Sequence, residues 1–336
     1  MSVVIVEMDN PIMRSTERLL RERGHDDVSV LDPAVLTHRT EQLNRADVLC
    51  LFGAVPIGPT VLDAAPNLRG LVSPFTGVEG FDVAAATGRG ILIANGQSDE
   101  NVDSVAEAAV MLALAAAYDL PHRLAALNCT AWSRREEGNR SRMLKTMTVG
   151  LVGYGRIGQE LGRLLSVFGC QLLIYAPRLH APLPQGARQV GLTELAQMSD
   201  AIVLVASLNS ESFHMINANI IDLMKPGVIV INVARGALID EQALVEAALK
   251  GHIGRLVLDV FEQEPLPADS AVRSVPGAIL TPHCVSHTIE ALKSLPRLAA
   301  ENISRLLRGE PPVTLVNPQA LPAWRARGFG PIDSTG

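Results

Sequence analysis

The sequence predicts an α/β protein made of two doubly wound parallel-sheet units in series. Three observations carry this expectation. Short β-branched runs alternate with helical patterns along almost the whole chain, as strands joined by crossover helices do. The 336 residues suffice for two cores of ordinary size. A glycine-rich turn, Gly153-Tyr154-Gly155-Arg156-Ile157-Gly158, stands in mid-chain between one such strand and one such helix.

Taken in order, strands are expected at 3–6, 28–30, 48–51, 70–72 and 91–93, which make the first unit. A polar connector follows at 95–101. Ser104 with Glu107 forms a capping box that predicts the start of an Ala/Leu-rich helix over 104–127. The second unit takes strands at 148–152, 172–175, 201–205, 228–232, 256–260 and 278–280. A final helix is expected over 289–307, with Pro296 inside it and Gly309 closing it. The tail from 311 onward is rich in Pro and Gly and reads as irregular.

Hydrophobic residues at 48% and charged residues at 19% suit a folded chain and argue against disorder. A net charge of −6 with scattered Lys and Arg gives no sign of a nucleic-acid surface. No basic segment precedes the N-terminal apolar stretch, so no secretory signal is expected. The longest Ala-rich apolar run, 108–117, is too short to cross a bilayer. Cys50, Cys129, Cys170 and Cys284 form no CxxC pair, which argues against a metal site or disulfide framework and for a reducing cytoplasm.

The glycine turn has a physical reading. The first glycine permits a tight bend, the second lets backbone approach a pyrophosphate, and the third lets helix and strand pack closely. A bound dinucleotide is therefore expected along Gly153, Gly155, Arg156, Ile157 and Gly158, its phosphates at the helix N-terminus. In NAD-binding sites an acid about twenty residues further on holds the adenosine ribose. Here that position reads Tyr175-Ala176-Pro177-Arg178-Leu179-His180, with no acid. Arg178 fits a 2′-phosphate and His180 adds a second donor, so the cofactor is NADP or NAD, with NADPH favoured.

Three polar side chains stand after successive strands of the second unit, where open α/β sheets bind ligands. Arg235 follows 228–232, Glu264 follows 256–260 and His283 follows 278–280. Reducing a 2-keto acid calls for such a set. An arginine holds the carboxylate and polarises the carbonyl, a histidine delivers a proton, and a carboxylate orients that histidine.

At these residues the sequence resembles the D-isomer-specific 2-hydroxyacid dehydrogenases. The resemblance rests on Asn232-Val233-Ala234-Arg235-Gly236, on Asp259-Val260-Phe261 through Glu264-Pro265, and on Thr281-Pro282-His283. The glycine turn, Met224-Lys225-Pro226-Gly227 and Gly77-Val78-Glu79-Gly80-Phe81-Asp82 share it, so it covers nearly the whole chain. It implies a Rossmann cofactor domain, 99–287, inserted into a flavodoxin-like substrate domain, 1–98 plus 288–336. It also implies Arg235 as substrate anchor, Glu264 as orienting carboxylate and His283 as proton donor. Asp259 would hold the nicotinamide carboxamide, Val233 would lie beside the cofactor, and the backbone of Thr76, Gly77 and Val78 would bind the substrate carboxylate.

Two departures stand out. Val285 and then His287 follow the catalytic histidine where the family often has Gly or Ala two residues on, and Ala206-Ser207-Leu208 replaces a usual proline. The expected activity is NAD(P)-dependent reduction of a small unphosphorylated 2-keto acid such as glyoxylate or hydroxypyruvate. The loops 51–54 and 73–78 carry no Lys or Arg to meet a phosphate. The alternative is a dinucleotide-sensing, corepressor-like binding protein of the same fold. Within the helix over 104–127, the stretch Val105 to Ala117 is apolar on nearly every face, which with the family resemblance predicts a homodimer, Trp132 reaching the neighbour's site.

Overall fold

Residues 1–6, 9–36, 40–128, 141–179 and 181–330 are described in the computed structural model. The chain divides into two units, Met1–Asn101 with Thr288–Gly336, and Val102–His287.

The first unit holds five strands: β1 (Ser2–Val6), β2 (Val28–Leu31), β3 (Ala46–Cys50), β4 (Gly70–Val72) and β5 (Leu92–Ala94). They run in the order β2-β1-β3-β4-β5 and every pair is parallel. This is the flavodoxin-like order. All five residues of β1 are buried, because helices cover both faces of a parallel sheet and its centre cannot alternate with polar residues. The helix Ile289–Leu307 packs Ala299, Ile303 and Leu306 with Val3, Ile5 and Val48. Pro296 lies inside this helix and Gly309, at φ +74°, follows its end.

The second unit holds seven strands: β6 (Thr148–Val152), β7 (Gln171–Tyr175), β8 (Arg188–Gln189), β9 (Ala201–Leu204), β10 (Val228–Asn232), β11 (Ile253–Leu258) and β12 (Ile279–Leu280). Their order is β12-β11-β10-β9-β6-β7-β8, again with every pair parallel. Numbered within the unit, this is the 3-2-1-4-5-6 order of dinucleotide-binding folds with one further strand. The order reverses between β6 and β9, and in open sheets of this kind ligands bind at the C-terminal ends of the strands at such a point.

Four expectations need correction. The helix predicted from Ser104 begins at Asp99, whose acidic first turn starts it, and Ser104 is buried within it. That helix ends at Ala117 and a second one runs Leu120–Asn128, because Asp119 turns the chain at φ +51° and pairs with Arg255. β11 ends at Leu258, which leaves Asp259 and Val260 in the loop beyond it. The tail is not irregular throughout: Leu321–Ala326 is helical and Trp324 is fully buried against the first sheet's core. His180 and Trp132 lie outside the described residues. No described helix is long and apolar enough to cross a membrane, and no described group of His, Cys, Asp and Glu could hold a metal ion.

Candidate active site

The glycine turn connects β6 to the helix Arg156–Val167. Gly153 sits at φ +104°, and a Cβ there would lie 2.7 Å from the Ala206 backbone. A Cβ on Gly158 would lie 2.5 Å from the Gly153 carbonyl oxygen, so this glycine sets how closely helix and strand approach. Gly155 differs: a Cβ there would meet no protein atom within 4 Å, and no side chain caps the helix it precedes. Among the described residues nothing calls for that glycine. The bare helix N-terminus it leaves suits an anionic group, so the residues present fit a dinucleotide phosphate.

At the end of β7, Ala176 is buried while Pro177 and Arg178 are exposed. Between Tyr175 and Gln189 there is no acid. After β9, where Ala206-Ser207-Leu208 stands, Ser212 closes the loop: its hydroxyl donates to Ser207 O and accepts from Asn209 N–H, both at 2.8 Å.

Arg235 is half-buried just beyond β10. Its turn is held by Asn232, whose side chain donates to Arg235 O at 2.9 Å and accepts from Ala234 N–H at 3.0 Å. Asn232 is 1% exposed, so both bonds form away from water and fix the turn firmly. The next residue, Gly236, packs its backbone directly on that of Phe261 and Glu262. The Arg235 turn and the loop carrying Glu264 are thereby pressed together.

Glu264 and His283 meet. Glu264 Oε2 lies 2.7 Å from His283 Nδ1, and Glu264 Oε1 accepts from Phe261 N–H at 2.9 Å. The carboxylate is anchored at one oxygen and orients the imidazole with the other. This leaves Nε2 as the ring nitrogen available for chemistry. His283 adopts φ +51°, a left-handed conformation that histidine tolerates better than most residues and that often marks functional sites.

Asp259 enforces that conformation. Its carbonyl accepts from His283 N–H at 2.7 Å, and its Oδ1 accepts from Thr281 Oγ1 at 2.7 Å, Cys284 N–H at 3.0 Å and Val285 N–H at 3.2 Å. Asp259 is 3% exposed, and one carboxylate oxygen gathers the loop on both sides of the histidine. Sequence reasoning missed this role, and missed Asn232. A polar residue closing the otherwise apolar Val228-Ile229-Val230-Ile231-Asn232 was the available signal for the latter. Val233 is buried in a core cluster with Val203 and Ile231.

Thr76, Gly77 and Val78 belong to the first unit. Asn95 Nδ2 donates to Thr76 O at 3.0 Å and Thr76 Oγ1 donates to Asn101 Oδ1 at 2.9 Å. A Cβ on Gly53 would lie 1.7 Å from Gly77 O, so the loop rests on another backbone. These supports fix where its N–H groups point.

Residues 110–285 match the family model of the D-isomer specific 2-hydroxyacid dehydrogenase NAD-binding domain. A glyoxylate reductase of Thermococcus onnurineus is 35% identical over 289 residues, which cover 84% of this chain and 86% of that protein. A D-3-phosphoglycerate dehydrogenase of Methanocaldococcus jannaschii is 33% identical over 95% of this chain, which spans 60% of that protein's length. Among solved structures, an NADPH-dependent glyoxylate/hydroxypyruvate reductase from Sinorhizobium meliloti, complexed with NADP and malonate, superposes with a TM-score of 0.80. It is 26% identical, with 96% of this chain and 98% of that one covered. With two parallel-sheet units, a glycine turn at the switch point and Glu264 on His283, the chain belongs to the D-isomer specific 2-hydroxyacid dehydrogenase family.

Proposed function

We propose that the protein reduces the C2 carbonyl of a small unphosphorylated 2-keto acid such as glyoxylate or hydroxypyruvate, with NADPH preferred over NADH. The observation that carries this reading is the 2.7 Å contact between Glu264 and His283 beside the Arg235 turn. The Arg235 guanidinium binds the substrate carboxylate and draws electron density from the carbonyl oxygen. His283 gives its Nε2 proton to that oxygen as it becomes an alkoxide, and Glu264 holds the ring through Nδ1. In the first unit, the backbone N–H groups at Thr76, Gly77 and Val78 are the groups suited to a carboxylate. The chemistry a bound nicotinamide dinucleotide supplies is the hydride that C2 receives, so hydride and proton together yield the 2-hydroxy acid.

In this reading 99–287 is the cofactor domain, and 1–98 with 288–336 is the substrate domain. The glycine turn, with Arg156 and Ile157, would bind the pyrophosphate, and Val233 and Asp259 would hold the nicotinamide end. Arg178 selects the 2′-phosphate. The free thiols Cys50, Cys170 and Cys284 suit a reducing cytoplasm. Exposed Met111 and Leu124 on the helices Asp99–Ala117 and Leu120–Asn128, with Tyr118 between them, favour burial against a second copy of the chain.

A phosphorylated relative of these substrates serves as the contrast. Turnover of a panel of 2-keto acids with each cofactor tests the reading. Fast reduction of glyoxylate or hydroxypyruvate supports it. Efficient oxidation of 3-phosphoglycerate, better than of glycerate or lactate, contradicts it. Tight dinucleotide binding without any turnover supports a sensing protein instead.

A further inference from the structure

A contact network behind the catalytic loops has no part in the chemistry described so far. His214, at φ +48°, donates its N–H to Ala237 O at 2.9 Å. Ile216 then exchanges backbone bonds with Leu238 and Asp240, at 3.0 Å each. The segment 214–216 is thus laid along the chain that continues the Arg235 turn. The His214 ring faces the other catalytic loop, with Nε2 2.8 Å from Glu262 Oε1. The Phe213 ring stacks on the imidazole at a centroid distance of 4.0 Å and restricts its rotation.

Glu262 is itself tied down. Its Oε1 accepts from Glu241 N–H at 3.0 Å, while its own N–H donates to Glu241 Oε2 at 3.1 Å. Two carboxylates therefore stand side by side, and burial, together with the neighbouring Glu262 charge, pushes the Glu241 carboxyl above the usual range. A donor on Glu262 relieves the repulsion between them. Glu262 lies two residues before Glu264, so its position sets where the catalytic carboxylate begins.

We infer that His214 is a positioning residue: by holding Ala237 with its backbone and Glu262 with its ring, it keeps the Arg235 turn in register with the loop that carries Glu264. The inference rests on the catalytic reading of Arg235, Glu264 and His283. Misplacement of a reacting group by about 1 Å costs on the order of 10²-fold in rate, so a loosened clamp is read in kcat.

The experiment compares His214→Ala, His214→Gln, Glu262→Gln and His283→Ala in NADPH-dependent glyoxylate reduction, with each variant's Tm and NADPH affinity measured. His214→Ala is expected to lower kcat by about tenfold or more with NADPH affinity unchanged within about twofold. His214→Gln, whose amide nitrogen reaches Glu262 as Nε2 does, is expected to recover most of the loss. Glu262→Gln keeps an acceptor for Glu241 but loses the charge facing His214, and is expected to lower kcat less than His214→Ala does. Wild-type kcat in His214→Ala or in Glu262→Gln, or a loss that tracks Tm and is not recovered by His214→Gln, overturns the inference. If His283→Ala itself turns over normally, the catalytic reading fails instead, so the two failures are distinct.

Discussion

Gly236 and Phe261 touch backbone to backbone: a Cβ on Gly236 would sit 1.9 Å from the Phe261 carbonyl carbon. No rotamer change relieves such an overlap, since the obstructing atom is main chain. Gly236→Ala must therefore separate the Arg235 turn from the Glu264 loop. The expected outcome is a kcat about 10²-fold lower in the fraction that folds, together with a lower Tm. Wild-type kinetics in Gly236→Ala would show that the two loops need not be in register.

On the proposed reading, cofactor choice is decided where β7 ends. With no acid from Tyr175 to Gln189, nothing there repels a 2′-phosphate, and Arg178 is exposed to meet one. A charged contact of this kind contributes about 1.5–3 kcal/mol, or about ten- to a hundredfold in affinity. Wild-type kcat/KM should favour NADPH, and Arg178→Ala should remove most of the preference. A preference for NADH contradicts this account, and an unchanged NADPH preference in the variant removes Arg178 from it.

Asp200 carries a pH-dependent part of the stability. Burial alone would raise its carboxyl, but the Thr148 N–H at 2.8 Å, Arg142 at 3.1 Å and Lys225 at 3.2 Å outweigh burial and hold it below the usual range. A depressed carboxyl stabilises the fold above its unfolded pKa of about 3.9, and that contribution is lost as pH falls through the lower folded value. Asp200→Asn should cost about 1–3 kcal/mol at neutral pH. Urea titrations should show the gap between the two proteins constant from about pH 5 to 8 and shrinking below about pH 4. A gap that widens in acid contradicts the assignment.

Trp324 gives the tail its importance. It is fully buried and donates its indole N–H to Arg69 O at 3.0 Å, within a core that contains Val3, Leu92 and Ile303. Trp324→Ala should cost about 3–5 kcal/mol. Retention of the wild-type Tm would make the tail dispensable to the first unit.

What was legible in the sequence follows from how strongly each element states its pattern. The β-branched run Val228-Ile229-Val230-Ile231 reads as a buried strand, and Gly153 to Gly158, flanked by a strand pattern and a helix pattern, reads as a strand-to-helix turn. β8, Arg188–Gln189, was not legible, because two exposed polar residues at a sheet edge carry no periodic signal. The helix start at Asp99 was hidden by a competing capping pattern at Ser104 and Glu107, which burial of Ser104 overrode. Proline and glycine concealed the tail helix, although Trp324 was a cue that something there packs. Arg235, Glu264 and His283 could be picked out because they follow three successive strands and stand in segments that resemble the family's signatures. Asp259, Asn232 and His214 act through backbone partners that no spacing predicts.

The most direct test of the central claim is the turnover of His283→Ala with glyoxylate and NADPH, followed by loss of NADPH absorbance, in a variant whose fold and NADPH binding are verified. The account predicts a kcat about 10²–10⁴-fold below wild type with NADPH affinity retained. A folded His283→Ala protein with near-wild-type kcat would contradict it.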